Sequence, residues 1–516
     1  MNYSRTHART AGALAVVSVA ATLLLTGCSG AASGEEAPAA AGEPVAGGTL
    51  TVARGNLFEG FELDQETLNS SFQLSQAVLE PLIRTNAEGT DLEPGIASEW
   101  TYNDDNTQLT IALNPEATFS DGEPVTADDV AFSVQTWQDG PNYGAVYGGI
   151  EGTEVIDDHT IRFDLANPDT SLPAFLSWAN AGVIPADFGG RSAEEFWQEP
   201  IGAGPFTVES WSSTGDIVLA KNPHYYKEGQ PYLDKVVSSY AADSNSLSLQ
   251  LKSKQIDVAD EISPVLARGL DQSLVLPVAE HNTPLLLMNT ADPALSDPAV
   301  RQAIGYALDY PAILKSVYSG YGSAPTGALP TNLANWAAPS SPYFSQDLEK
   351  AKSLLKGKDV PETLDFIFTS QGSATLLAQI VADNLAEIGI TVNLVPQDAG
   401  ARYTNLTNGD YQLASFAYNA ISPDVSDPIS YVTATDGMFT GFTSPEVDEQ
   451  VAAYQQTADP EEKKAAITAL QDIYSEQAPF IALGHLPSLG AAQKTVRDIQ
   501  LTLWGTYALE TIWKSE

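Results

Sequence analysis

Cysteine is almost missing from this chain, and positive charge is scarce. The 516 residues include one cysteine, Cys28, and five histidines. A single thiol cannot close a disulfide within the chain or build a cysteine metal site. The histidines show neither H-E-x-x-H nor any paired spacing, so no metal ligand set is expected. Lys and Arg total 24 against 66 Asp and Glu, a formal charge of −42. Such a surface repels phosphate backbones and excludes a nucleic-acid partner. It also repels acidic headgroups, so attachment to a membrane must come from something other than basic residues. G-x-S-x-G, phosphate-loop and metal motifs are absent. Adjacent acids such as Asp104–Asp105 and Asp128–Asp129 fit solvated loops and first helical turns better than two-carboxylate hydrolysis. Nothing points to catalysis, a cofactor or a stable oligomer, and a monomer is expected. From Cys28 onward no apolar run is long enough to span a bilayer.

What is present begins at the N-terminus. Arg5 and Arg9 form a basic region, and Ala11 to Leu25 a short apolar one, too short for a spanning helix. It ends in Leu25-Thr26-Gly27-Cys28, which resembles a bacterial lipobox. The resemblance implies a signal peptide over residues 1–27, cleavage before Cys28, and lipidation of its sulfur. Two acyl chains suffice for stable anchoring. Residues 28–45, rich in Ala, Gly, Ser, Glu and Pro, read as a disordered tether. Ser29 is not an acidic retention residue, which suits a protein lipid-anchored on the extracytoplasmic face of the plasma membrane.

The remaining length exceeds one hydrophobic core, and its 43% apolar content supports two or three. Gln108 to Leu113 alternates as a strand. Thr126 stands three before Asp129, an acidic capping box that opens a helix to about Trp137. Gly204 to Trp211 and Asp216 to Ala220 read as paired strands, and Leu285 to Asn289 as a short apolar one. Asp297-Pro298 opens a helix with an N-cap and proline at its first position. A helix over Thr375 to Ile388 closes at Gly389, and a short helix near Arg402 to Thr407 reads as a surface element. A strand over Tyr411 to Tyr418 and helices over Glu446 to Gln456 and Pro460 to Glu476 follow. Strands and helices alternate throughout, which argues α/β layers.

Four ordered blocks then carry a family likeness. EPLIR, LEPGIASEWTYNDDNTQLTIAL and ATFSDGEPVTADDVAFSV lie between Leu79 and Val134. GAGPFTVESW and AKNPHYYKEGQPYLDKV lie between Gly202 and Val236. LLLMNTADPALSDPAVRQAIGYALD spans Leu285 to Asp309, and DLEKAKSLL spans Asp347 to Leu355. Together they resemble the family 5 extracellular solute-binding proteins of ABC importers, the peptide and nickel binders. The resemblance implies a two-lobed periplasmic-binding-protein-like α/β fold (type II, cluster C), with a hinge between the lobes and an extra domain beside lobe I. Carried onto this chain, lobe I comprises residues 46–82, 201–288 and 487–516. The extra domain is 83–200 and lobe II 289–486. The implied role is capture of a small-molecule or peptide ligand, an oligopeptide first, for an ABC importer permease and its ATPase. An oligosaccharide, amine or nickel chelate, or a sensor role without transport, are the alternatives.

The blocks themselves read as structure. Asp121-Gly122 reads as a turn, His224 as a solvated turn residue, and Arg301 as a helix-surface or salt-bridge residue. For the ligand, the segment Tyr418-Asn419-Ala420-Ile421-Ser422-Pro423-Asp424-Val425-Ser426-Asp427-Pro428 resembles the loop that holds the α-ammonium in peptide-binding members. The resemblance assigns that role to Asp424, with Asp427, Tyr418 and Asn419 beside it; a capping Asp424 is the alternative. The usual Gly-Trp before the loop is absent. Phe58 and Phe61, after the first strand, read as pocket or core, as does Trp504. Between Lys358 and Asp424 the one basic residue is Arg402, so no carboxylate clamp is expected in lobe II.

Overall fold

A computed structural model describes residues 43–64, 69–241, 243–370, 372–420, 422–432, 439–502 and 505–515. The lipobox with Cys28, most of the tether, and Trp504 lie outside these residues. Within them, local signals set the helices. In α1 (Ala127–Gln138), Thr126 and Asp129 form the expected capping box. In α2 (Pro298–Ala307), the Asp297 carboxylate accepts from Ala299 N at 2.9 Å and Pro298 takes the first position. The helices α3 (Ala374–Ala386), α4 (Ala399–Asn408), α5 (Ser426–Val432), α6 (Pro445–Gln456) and α7 (Pro460–Gln477) follow.

Fifteen strands define the layers. They are β1 (Thr49–Arg54), β2 (Ala97–Tyr102), β3 (Gln108–Leu113), β4 (Ile150–Asp157), β5 (Thr160–Leu165), β6 (Phe206–Ser210), β7 (Ile217–Lys221) and β8 (Lys235–Tyr240). Next come β9 (Val258–Ala259), β10 (Val275–Met288), β11 (Thr363–Thr369), β12 (Thr391–Gln397), β13 (Leu413–Asn419), β14 (Phe480–Ala482) and β15 (Leu486–Ala492). β2, β3, β5 and β4 form a separate four-stranded antiparallel sheet in that order. In β3 and β5 alternate residues are buried, as a half-buried strand requires.

The other strands form one sheet, in the order β12-β11-β13-β10-β15-β9-β1-β8-β7-β6, with β14 on β10. In one half β1 runs parallel to β8 and β9; in the other β11 runs parallel to β12 and β13. The halves meet at β10 and β15. Val275–Pro277 of β10 pair with Leu489–Ala491 of β15, and Asn282–Met288 pair with Leu413–Asn419 of β13. The buried hydrophobic residues divide likewise. One large cluster takes residues from Leu50 to Val258 and from Ala492 to Ile512, another from Leu285 to Leu483. This is a two-lobed α/β fold. The four-stranded sheet shares the first lobe's cluster, with Leu109, Ile111, Ile161 and Phe163 all inside it.

Two buried arginines fasten separate segments. Arg301, expected at a helix surface or in a salt bridge, is buried and bonded to carbonyls. It donates to the carbonyls of Leu295 (2.6 Å), Ser296 (2.9 Å) and Gln477 (2.9 Å from Nε), the last at the C-terminal end of α7. That end exposes carbonyls without helical partners, and a guanidinium satisfies several at once. Arg84 lies between two buried carboxylates, 3.3 Å from Glu80 and bonded to Glu510. Burial alone would raise the Glu510 carboxyl; Arg84, then Lys227, pull it below the usual range instead. Glu510→Ala leaves Arg84 buried with one partner fewer, and chemical denaturation should show a loss of about 3 kcal/mol. The exposed Glu151 replaced by Ala should stay within about 0.5 kcal/mol of wild type. Equal, small effects of the two would show that the pair contributes nothing.

Candidate functional site

In an α/β sheet, ligands collect in the crevice beyond the carboxyl ends of the parallel strands. Here both halves of the sheet turn those ends toward the crossing. β11 ends at Thr369 and β13 at Asn419; from the other half, β9 ends at Ala259 and leads into Glu261. Between them lies a cavity of about 500 Å³, of ligand-binding size. Its floor is the crossing itself, Asn282 and Pro284 of β10 and Leu486 to Leu489 of β15. Thr369, the start of α3 at Ser373 and Ala374, Arg402 of α4, and Phe416 and Asn419 of β13 form one wall. Glu261 and Ile262 form the other. Glu261 and Arg402 are the charged residues among the described lining.

Arg402 does not lie on an open surface, contrary to the expectation from its short helix. It is half-buried, its Nη1 donates to Ser415 O at 2.6 Å, and its guanidinium carbon stands 5.9 Å from the centre of the Phe416 ring. Burial lowers its pKa. Across the cavity, Glu261 has a left-handed backbone (φ 50°) and accepts from Asn56 Nδ2 at 2.6 Å. Asp260 beside it is buried, and burial pushes its carboxyl up to about 7; the Tyr507 hydroxyl donates to it at 2.9 Å.

The loop singled out in the sequence is placed differently. Asp424 is 8% exposed and is not among the cavity's lining residues. Its Oδ1 accepts from Ser426 N at 2.8 Å, at the start of α5, and from the Tyr454 hydroxyl at 2.5 Å. Its Oδ2 accepts from Asn335 Nδ2 at 2.7 Å. The capping alternative describes this geometry. Asp427 is fully buried and accepts from Ser422 N at 3.1 Å; Tyr418 is buried. Asn419 does reach the cavity, where Asn282 Nδ2 donates to its side-chain oxygen. Phe58 and Phe61 are core residues. Each is 1% exposed, their rings lie 4.8 Å apart, and both meet Trp211 edge-on. They do not line the cavity.

The four-stranded sheet touches the second lobe outside the cavity. Thr170 N and Oγ1 donate to the carbonyls of Gln455 (2.8 Å) and Thr457 (2.7 Å), and Asn106 Nδ2 to that of Gln456 (3.1 Å). These carbonyls end α6 and have no helical donor. The neighbouring Asp169 carboxyl is raised by burial.

The crossing holds two of the five histidines. His485 Nδ1 lies 3.1 Å from Thr283 Oγ1, and His281 Nε2 lies 3.1 Å from Ser488 Oγ. Both histidines are fully buried, and each bond links β10 to the returning chain. Burial drives the His485 pKa down to about 4 from 6.5.

Two expectations follow from these placements. Asp424→Ala leaves the buried Tyr454 hydroxyl without its acceptor, with the Asn335 amide still 3.2 Å away, and unfolding in urea should show a loss of about 2 kcal/mol. A carboxylate that faced only ligand would leave stability unchanged. For His485 the folded pKa is depressed, so its contribution is complete above pH 6.5 and declines as pH falls toward 4. The decline reaches up to about 3 kcal/mol below pH 4. Wild type should therefore lose more stability than His485→Gln between pH 7.5 and 4.5. Parallel pH profiles for the two would refute this.

Comparison with known proteins agrees with this fold. The model of the bacterial extracellular solute-binding proteins, family 5 middle, matches residues 91–440. A probable di/tripeptide-binding protein 5 of Pseudomonas aeruginosa is 26% identical over 511 residues, covering 91% of this chain and 96% of that protein. Among solved structures, the substrate-binding protein CtaP of Listeria monocytogenes superposes with a TM-score of 0.81 at 23% identity. It covers 91% of this chain and 100% of that one. The periplasmic binding protein DppA of Helicobacter pylori, in complex with the peptide STSA, superposes with a TM-score of 0.78 at 23% identity, covering 92% and 99%.

Proposed function

This chain belongs to the bacterial extracellular solute-binding proteins, family 5, and from that premise we propose that it captures a peptide between its lobes and delivers it to an ABC importer. The observation that carries the reading is the cavity at the crossing, bounded by strand ends from both halves of one sheet. The peptide-binding relatives support the ligand class. On this reading the protein binds its ligand and releases it unchanged.

Closure works through the crossing strands. The lobes move as rigid bodies, and β10 and β15 absorb the change of dihedral angles at the two passages between them. A ligand in the cavity touches both walls only when the lobes are together, so it shifts the population toward that state. The permease then reads the closed shape. The N-terminal part of the reading is an anchor: lipidated Cys28 and the tether keep the body beside its permease, outside the plasma membrane. No helix among the described residues is long and apolar enough to cross a membrane.

The test is thermal unfolding of residues 29–516 against dipeptides, longer peptides, oligosaccharides, polyamines and nickel chelates. A peptide at 100 times its Kd should add roughly 2.7 kcal/mol. A shift with another class and none with peptides would overturn the ligand assignment.

A further inference from the structure

We infer that the cavity takes a short zwitterionic ligand with an apolar body, whose carboxylate binds Arg402 on the second lobe and whose ammonium faces Glu261 on the first. The inference rests on the peptide reading above and adds its polarity.

Arg402 has five N–H donors and spends one, on Ser415 O. Its Nε is buried and has no partner among the described residues. A half-buried guanidinium without a carboxylate bears part of the desolvation cost, and a bidentate carboxylate is the group that fits its fork. This happens in a chain with 66 acids for 24 bases. Arg84 holds two carboxylates and Arg301 several carbonyls; a partnerless Nε occurs in Arg54, Arg84 and Arg191 too, and what sets Arg402 apart is its place in the cavity wall. The same wall adds the N-terminus of α3. Ser373 makes no side-chain cap bond there, and both Ser373 and Ala374 line the cavity. Free N–H groups at a helix start favour the same anion.

Glu261 supplies the opposite charge from the opposite wall. Its backbone sits in the left-handed region, and Asn56 fixes its carboxylate. Asp424 is not available for this task, because its oxygens accept from Ser426, Tyr454 and Asn335 away from the cavity. Apolar groups such as Leu377, Phe416 and Leu489 line much of the rest, which leaves the ligand's ends as the places for charge recognition. With the two charges on different lobes, a zwitterion satisfies both only in the closed state. Ligand polarity is thereby coupled to closure.

The experiment is competition measured by native mass spectrometry. A tripeptide library with free termini competes against the same library amidated at the C-terminus, then against it acetylated at the N-terminus. Wild type should prefer the free acid by roughly 10- to 100-fold over the amide. Arg402→Gln should erase that preference, Arg402→Lys should restore part of it, and Glu261→Gln should erase the preference against the acetylated library. Equal binding of acid and amide by wild type overturns the inference while leaving peptide capture intact, and needs no variant to fold. Discrimination that survives Arg402→Gln overturns it too. Wild type that binds none of the three libraries overturns the peptide reading itself, and this inference with it.

Discussion

Everything else in this molecule depends on one pairing, that of β10 with β15 at the centre of the sheet. The chain passes from one hydrophobic cluster to the other at these two places among the described residues. A sheet that ran through with even pairing would be stiff. This one has register shifts between Pro277 and Glu280 and between Glu280 and Asn282. Proline withholds a ladder hydrogen bond, so Pro277 and Pro284 loosen a strand that is otherwise central. Side-chain bonds from His281 and His485 replace part of what the ladder lacks. The joint is therefore continuous enough to orient both lobes and sparse enough in backbone bonds to bend.

The same pairing fixes where recognition occurs. Parallel strands in each half point their carboxyl ends toward the joint; those ends supply Thr369 and Asn419, and the loops and helix starts beyond them Ser373 and Glu261. A strongly acidic protein would ordinarily surround any cation with carboxylates. Arg84 follows that rule, whereas Arg301 and Arg54 donate instead to backbone carbonyls, Arg54 to those of Ser238 and Gly215. Arg402 reaches one carbonyl, that of Ser415, and its Nε has no partner among the described residues. On the inference drawn above, a ligand carboxylate offsets the cost of that arrangement.

The sequence disclosed local structure better than it disclosed the site. Asp297-Pro298 and the Thr126–Asp129 pair marked helix starts because capping is a contact between neighbours in the chain. The hairpin of β6 and β7 was legible for the same reason. β10 was read short, as Leu285 to Asn289, because its prolines disguise a strand of 14 residues. The site residues depend on contacts distant in sequence. Phe58 and Phe61 are adjacent to the cleft in chain order, yet Trp211 draws them into the core. Asp424 carries the expected spacing before Asp427-Pro428, but Asn335 and Tyr454, far along the chain, occupy its oxygens. The isolation of Arg402 between Lys358 and Asp424 was visible, but not the fact that its helix lies across the strand ends.

If the lobes close as proposed, a contact remote from the cavity enters the balance between open and closed. Thr170 and Asn106 give three hydrogen bonds to the end of α6. Each contributes on the order of 1 kcal/mol, less where water competes. Their total is too small to hold two lobes together against the freedom of an open joint, yet large enough to set the ratio of open to closed within a few kcal/mol of balance. A ligand then has to supply only a modest differential affinity to complete the shift. On the proposed reading, the loops of the extra sheet bias closure, while the cavity residues select the ligand that completes it.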